Sequence, residues 1–89
     1  MNTIESRQSV RIQAMKRAQI VFNDGGSSLY CTVRDLSETG ARLTADSWFS
    51  CPENVGLKYL EGPERFAAPT DCRIVWRKND AFGVEFQSA

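Results

Sequence analysis

The sequence contains no histidine, so the commonest general base and the commonest neutral metal ligand are both missing. Its three cysteines, Cys31, Cys51 and Cys72, show no C-x-x-C spacing, and an odd number cannot all pair within one chain. We therefore expect core thiols, no metal site, no cofactor and no enzymatic activity.

Long apolar runs are also missing. No stretch approaches the roughly 20 residues of a membrane-spanning helix, and the polar segment from Met1 to Ser9 has no apolar signal region. We therefore expect a cytoplasmic protein with no membrane contact. The 89 residues, 42% hydrophobic and 25% charged, are typical of one soluble globular domain.

The formal net charge is zero, but it is unevenly distributed. Residues 1–17 contain four basic residues, Arg7, Arg11, Lys16 and Arg17, and one acid, Glu5. The net charge of this segment is therefore +3, and that of the rest of the chain is −3. Such a segment is either a solvated tail or a contact for an anionic partner. We divide the chain into a flexible basic arm, residues 1–16, and a barrel, residues 17–89.

From Arg17 onward the apolar residues recur mostly at every second position, which predicts half-buried strands. Residues 20–22 lead into a dense turn signal at 23–28, which predicts a hairpin. Pairing Phe22 with Leu29 would place Asp35 roughly opposite residue 16. Further strands are predicted at 29–34, 41–45, 55–59, 72–77 and 82–86.

Two segments are less regular. Residues 46–52 form either one helical turn capped by Asp46 or Ser47, or a plug in which Trp48 and Phe49 close one end of the core. Residues 61–69 are typical of a surface loop, although Phe66 could continue or begin a strand. Five or six short strands on one core favour a closed or partly closed antiparallel barrel, because closure removes exposed strand edges.

Arg7 and Arg11 form an R-x-x-x-R pair ahead of the first strand. Arginines four residues apart occur often by chance, as solvated side chains. Guanidinium groups also bind phosphate oxygens bidentately, stack on bases and pair with the O6 and N7 acceptors of guanine. The pair therefore suits a ligand that carries phosphates and guanines.

Asp35, Ser37 and Gly40 form a D-x-S-x-x-G turn between the second and third strands. Such residues are common in turns for structural reasons alone. In a binding site, the aspartate would match the N1 and N2 donors of guanine, the serine hydroxyl would bond to phosphate or base, and the glycine would let backbone approach the ligand.

The R-x-x-x-R pair, followed after about two dozen residues by D-x-S-x-x-G and the apolar run 40–43, resembles the PilZ domain. Residues 72–77 and 82–86 resemble the last strand pair of that family. The resemblance implies an all-β, six-stranded antiparallel barrel of split or Greek-key-like topology. Because only residues 87–89 follow the last strand, we expect little or no C-terminal helix.

The resemblance also implies a bacterial receptor for the second messenger cyclic di-GMP. Arg7 and Arg11 would grip its phosphates and guanines, and Asp35, Ser37 and Gly40 would complete the pocket. The arm would be mobile without ligand and would fold across the barrel when ligand binds. The change would then be relayed to an unknown downstream protein, by a monomer or a ligand-dependent dimer.

The number of ligand molecules bound stays open, since Ser6 and Gln8 beside the arginines are neither bulky nor charged.

One alternative function is that of a PilZ-fold adaptor that binds a partner protein without the nucleotide. Another is a small single-stranded nucleic-acid-binding barrel lined by aromatics such as Tyr30, Tyr59 and Trp76. The near-neutral charge argues against nucleic acid, and the alternating aromatics suit a core. We place Arg34, Arg42 and Trp76 outside the predicted site.

Overall fold

The computed structural model describes residues 12–46 and 50–87, with side chains from Met15 onward. Its strands are β1 (Ile12–Phe22), β2 (Ser27–Leu36), β3 (Gly40–Ala45), β4 (Asn54–Tyr59), β5 (Thr70–Lys78) and β6 (Ala81–Phe86). Neighbours are antiparallel and close into a barrel in the order β1-β2-β3-β6-β5-β4. The predicted six-stranded antiparallel barrel is confirmed. β1 begins within the predicted arm, and residues 1–11 of that arm lie outside the described part.

The core consists of the inward-facing residues of alternating strand positions, as the period-two pattern predicts. Phe82, Ile20, Leu43 and Leu57 are its largest fully buried side chains. The thiols of Cys31 and Cys72 are also buried there, whereas Cys51 is half-buried. Burial raises the pKa of Cys31 to about 12 and that of Cys72 to about 11, so both are protonated at neutral pH.

The hairpin of β1 and β2 has a different register from the predicted one. Phe22 pairs with Ser27, not with Leu29, because the chain reverses within the four residues 23–26. The pairing of β1 with β2 also shifts in register between Gln13 and Lys16 of β1. As a result Asp35 lies opposite Gln13 rather than residue 16.

The connection from β4 to β5 is a surface loop that contains one short 3-10 helix, Pro63–Phe66. Phe66 is therefore not part of a strand. Residues 47–49 lie outside the described part, so both interpretations of segment 46–52 stay open. No helix among the described residues is long and apolar enough to cross a membrane.

Candidate ligand-binding face

A bulge in β2 turns Asp35 towards the outer surface of the barrel. Cys31 and Val33 face the core, and Val33 pairs with Leu43 of β3. Arg34 is an extra residue in this ladder, so Asp35 pairs with Arg42, which lies on the outer face. Without the extra residue, Asp35 would continue the inward-facing series.

Asp35 forms an ion pair with Arg42. Its Oδ2 accepts a hydrogen bond from Nε of Arg42 at 2.8 Å, and Nη2 of the same guanidinium lies 2.8 Å from that oxygen in the ion pair. Asp35 is only 7% exposed, whereas the side chain of Arg42 is 48% exposed. The guanidinium therefore holds a nearly buried carboxylate in a fixed orientation while part of it stays accessible to solvent.

A second bulge, in β5, moves Trp76 to the outer face. Ile74 faces the core opposite Val84, Val75 is the extra residue, and Trp76 pairs with Gly83. The indole lies directly over Gly83, where a Cβ atom would overlap its nitrogen. Trp76 is 43% exposed. Trp76 is therefore not one of the core aromatics that alternation favours, because the bulge shifts its face by one residue.

The two bulges bring four residues into one cross-strand row on the outer face. Asp35 of β2 pairs with Arg42 of β3, Arg42 pairs with Gly83 of β6, and Gly83 pairs with Trp76 of β5. We call Asp35, Arg42, Gly83 and Trp76 the outer row. At about 4.8 Å between neighbouring strands, it spans roughly 14 Å. It presents a carboxylate, a guanidinium and an indole side by side.

The turn between β2 and β3 lies next to the outer row. Ser37 N–H donates to the Gly40 carbonyl at 2.9 Å, and the Ser37 hydroxyl accepts from Thr39 N–H and donates to the same carbonyl, each at 3.3 Å. A groove of about 170 Å³ separates this turn from Trp76. Because ligand pockets usually measure about 300–1,000 Å³, the groove suits one part of a larger ligand.

Gly40 is required by packing. A Cβ atom on this buried residue would overlap the carbonyl oxygen of Val84 on the adjacent strand β6. Its small size thus lets β3 lie close to β6, which positions the turn beside the outer row. Whether ligand also approaches Gly40 stays a prediction.

The structure brings Asp35, Ser37 and Gly40 together at one end of the outer row. Arg7 and Arg11 lie outside the described residues, so their part in the site stays a prediction. Arg42 and Trp76, which lie beside these residues, were not predicted to be part of the site. Alternation along β3 places Arg42 on the outer face, but only the bulge reveals Trp76 there.

Comparison with known proteins agrees with this architecture. Residues 5–89, nearly the whole chain, match the family model of the PilZ domain. The chain therefore belongs to the PilZ domain family. A search among curated proteins gave no match.

Proposed function

We propose that this PilZ-domain chain is a bacterial cytoplasmic receptor that binds cyclic di-GMP and acts as a binding module, not as an enzyme. The observation that carries the proposal is the place of Asp35, which lies on the outer face opposite Gln13. Arg11 is two positions before Gln13 in the sequence, a distance of at most about 7 Å along the chain. Arg11 is therefore within reach of the D-x-S-x-x-G turn, and we expect the R-x-x-x-R pair to contact the ligand at this end of the outer row.

Each group of the outer row has a role that suits a cyclic dinucleotide of guanine. The Asp35 carboxylate accepts hydrogen bonds from a guanine edge, and Arg42 keeps it oriented. The exposed indole of Trp76 offers a face on which a base stacks. Arg7 and Arg11 then neutralise the phosphates. No cofactor is needed for any of these contacts.

Calorimetric titration with cyclic di-GMP tests the proposal. Wild type is expected to bind, and Arg11→Ala and Asp35→Ala are each expected to weaken binding by about 100-fold or more, since hydrogen bonds to charged groups are lost. Trp76→Ala should weaken it by roughly 10-fold through lost stacking. Tyr30→Ala, an exposed aromatic outside the outer row, serves as the control. A flat wild-type trace would refute the proposal and favour the nucleotide-independent adaptor.

The signal is proposed to be a change in the arm, which closes over the turn when ligand binds and so alters the surface offered to a downstream protein. Hydrogen exchange of the amides of residues 2–11 should slow when cyclic di-GMP is added. In Asp35→Ala the same amides should exchange equally fast with and without the nucleotide. Unchanged exchange in ligand-bound wild type would contradict this mechanism.

A further inference from the structure

Phe66 is the most exposed large hydrophobic residue of the described part, with 78% of its surface accessible. The loop holds it in place from both sides. Lys58 Nζ donates to the carbonyls of Arg65 and Ala67, at 2.6 Å and 2.8 Å, and these residues flank Phe66. The loop therefore presents the aromatic ring to solvent from a fixed backbone, which is typical of a contact residue.

Arg65 adds a positive charge beside the ring. Its Cζ lies 4.3 Å from the centroid of Phe66, and its Nη1 donates to the Gly62 carbonyl at 2.9 Å. No described carboxylate forms an ion pair with it. We call Arg65 and Phe66 the knob, since an aromatic ring with an arginine is the composition that interface centres favour.

A groove of about 540 Å³ lies at the end of the barrel where β1 turns into β2. Its apolar lining includes Val21, Phe22, Val55 and Pro69, and Asp24 and Asp71 are exposed at it. Neither aspartate forms an ion pair with a described residue. We call it the end groove. The apolar part of its lining complements the ring of the knob, and the two carboxylates, without ion-pair partners among the described residues, complement its cation.

We propose that two copies of this chain associate through reciprocal contacts in which the knob of each copy occupies the end groove of the other. Charge favours this occupant, because Arg65, Asp24 and Asp71, none of which has an ion-pair partner in the described part of the chain, are present on the same molecule. Phe66 is only three residues from Pro69 of the groove, at most about 11 Å along the chain. Knob and groove are therefore neighbours on one surface, as a two-fold symmetric dimer requires.

Sedimentation analysis of the whole chain tests the proposal without nucleotide. Wild type is expected to dimerise reversibly between about 10 µM and 1 mM, and Phe66→Ala should weaken dimerisation by about 10-fold or more. Tyr30→Ala, which removes another exposed aromatic, should dimerise like wild type. Phe66 is almost fully exposed, so its replacement leaves the core intact.

Exchanging the charges of the knob and the end groove gives a more specific test. Arg65→Asp and Asp71→Arg should each stay monomeric, because two like charges then meet at both contacts. An equimolar mixture of the two variants should dimerise within about 3-fold of wild type, since each contact again joins an arginine and an aspartate.

The proposal is overturned if wild type stays monomeric up to about 1 mM, if Phe66→Ala dimerises normally, or if the mixed variants do not associate. A monomeric wild type that instead binds vesicles through Phe66 also overturns it, because the occupant is then a different one. Calorimetry with cyclic di-GMP on the same variants keeps the two proposals separate: nucleotide binding is expected to be unchanged in all of them.

Discussion

Replacing Gly40 by alanine is expected to lower the melting temperature by roughly 10–20 °C. The added Cβ atom would overlap the Val84 carbonyl, which is backbone and cannot rotate away. β3 and β6 must then separate where Gly40 pairs with Glu85, at a cost of about 2–3 kcal/mol. Thermal unfolding followed by circular dichroism measures the effect.

Gly83→Ala is the matched control for this prediction. Here the new Cβ atom meets the indole of Trp76, a side chain that can swing outwards. We expect a loss of at most about 1 kcal/mol, with red-shifted emission of Trp76 in a Trp48→Phe background. Equal destabilisation by the two substitutions would show that the contact with the Val84 carbonyl is not what requires Gly40.

The pair formed by Asp35 and Arg42 is expected to contribute more than any exposed ion pair of the barrel. Arg42→Met should destabilise the protein by about 1–3 kcal/mol, because the nearly buried carboxylate loses its ion-pair partner and the hydrogen bond from Nε. A double-mutant cycle with Asp35→Asn should give a coupling energy of about 1–3 kcal/mol. Urea unfolding of the four proteins provides the four free energies.

Lys16 and Glu64 provide the control pair. Their side chains are 32% and 46% exposed, so water screens the interaction. A double-mutant cycle of Lys16→Met and Glu64→Gln should give a coupling energy of no more than about 0.5 kcal/mol. If the Asp35 and Arg42 cycle gives a coupling as small as this, Arg42 does not hold the carboxylate in place.

The strands themselves could be predicted from the sequence because their alternation is regular where one side packs the core. Leu29, Cys31 and Val33 are buried and their neighbours are not, as the pattern requires. The clusters of turn residues separate one strand from the next. The barrel order does not follow from antiparallel pairing and closure alone, because β3 lies beside β6 and β1 beside β4, whereas an up-and-down barrel would pair β3 with β4.

The register of the first hairpin, and the side of the barrel on which residues after a bulge lie, could not be predicted in the same way. The dense turn signal at 23–28 extends beyond the four residues that form the turn, so Phe22 was matched with the wrong partner. The bulges at Arg34 and Val75 have no marker such as glycine or proline. A bulge depends on tertiary packing, so a period-two pattern continues through it without a visible break.

For the site, the turn motif indicated Asp35, Ser37 and Gly40, and the structure places them together. The motif did not show that Gly40 is required by the adjacent strand, because Val84 is far away in the sequence. Arg42 pairs with Asp35 across a ladder that no local pattern encodes. The contacts of Trp76 depend on Gly83 in the same way.

The bulges in β2 and β5 divide each of these strands into two parts that evolve under different constraints. Before the extra residue, inward positions such as Val33 and Ile74 must preserve the volume of the core. After it, Asp35 and Trp76 lie on the outer face, where Asp35 contacts Arg42 and Trp76 contacts Gly83. A barrel built in this way can acquire a new ligand preference by substitution on its outer row while its interior stays constant.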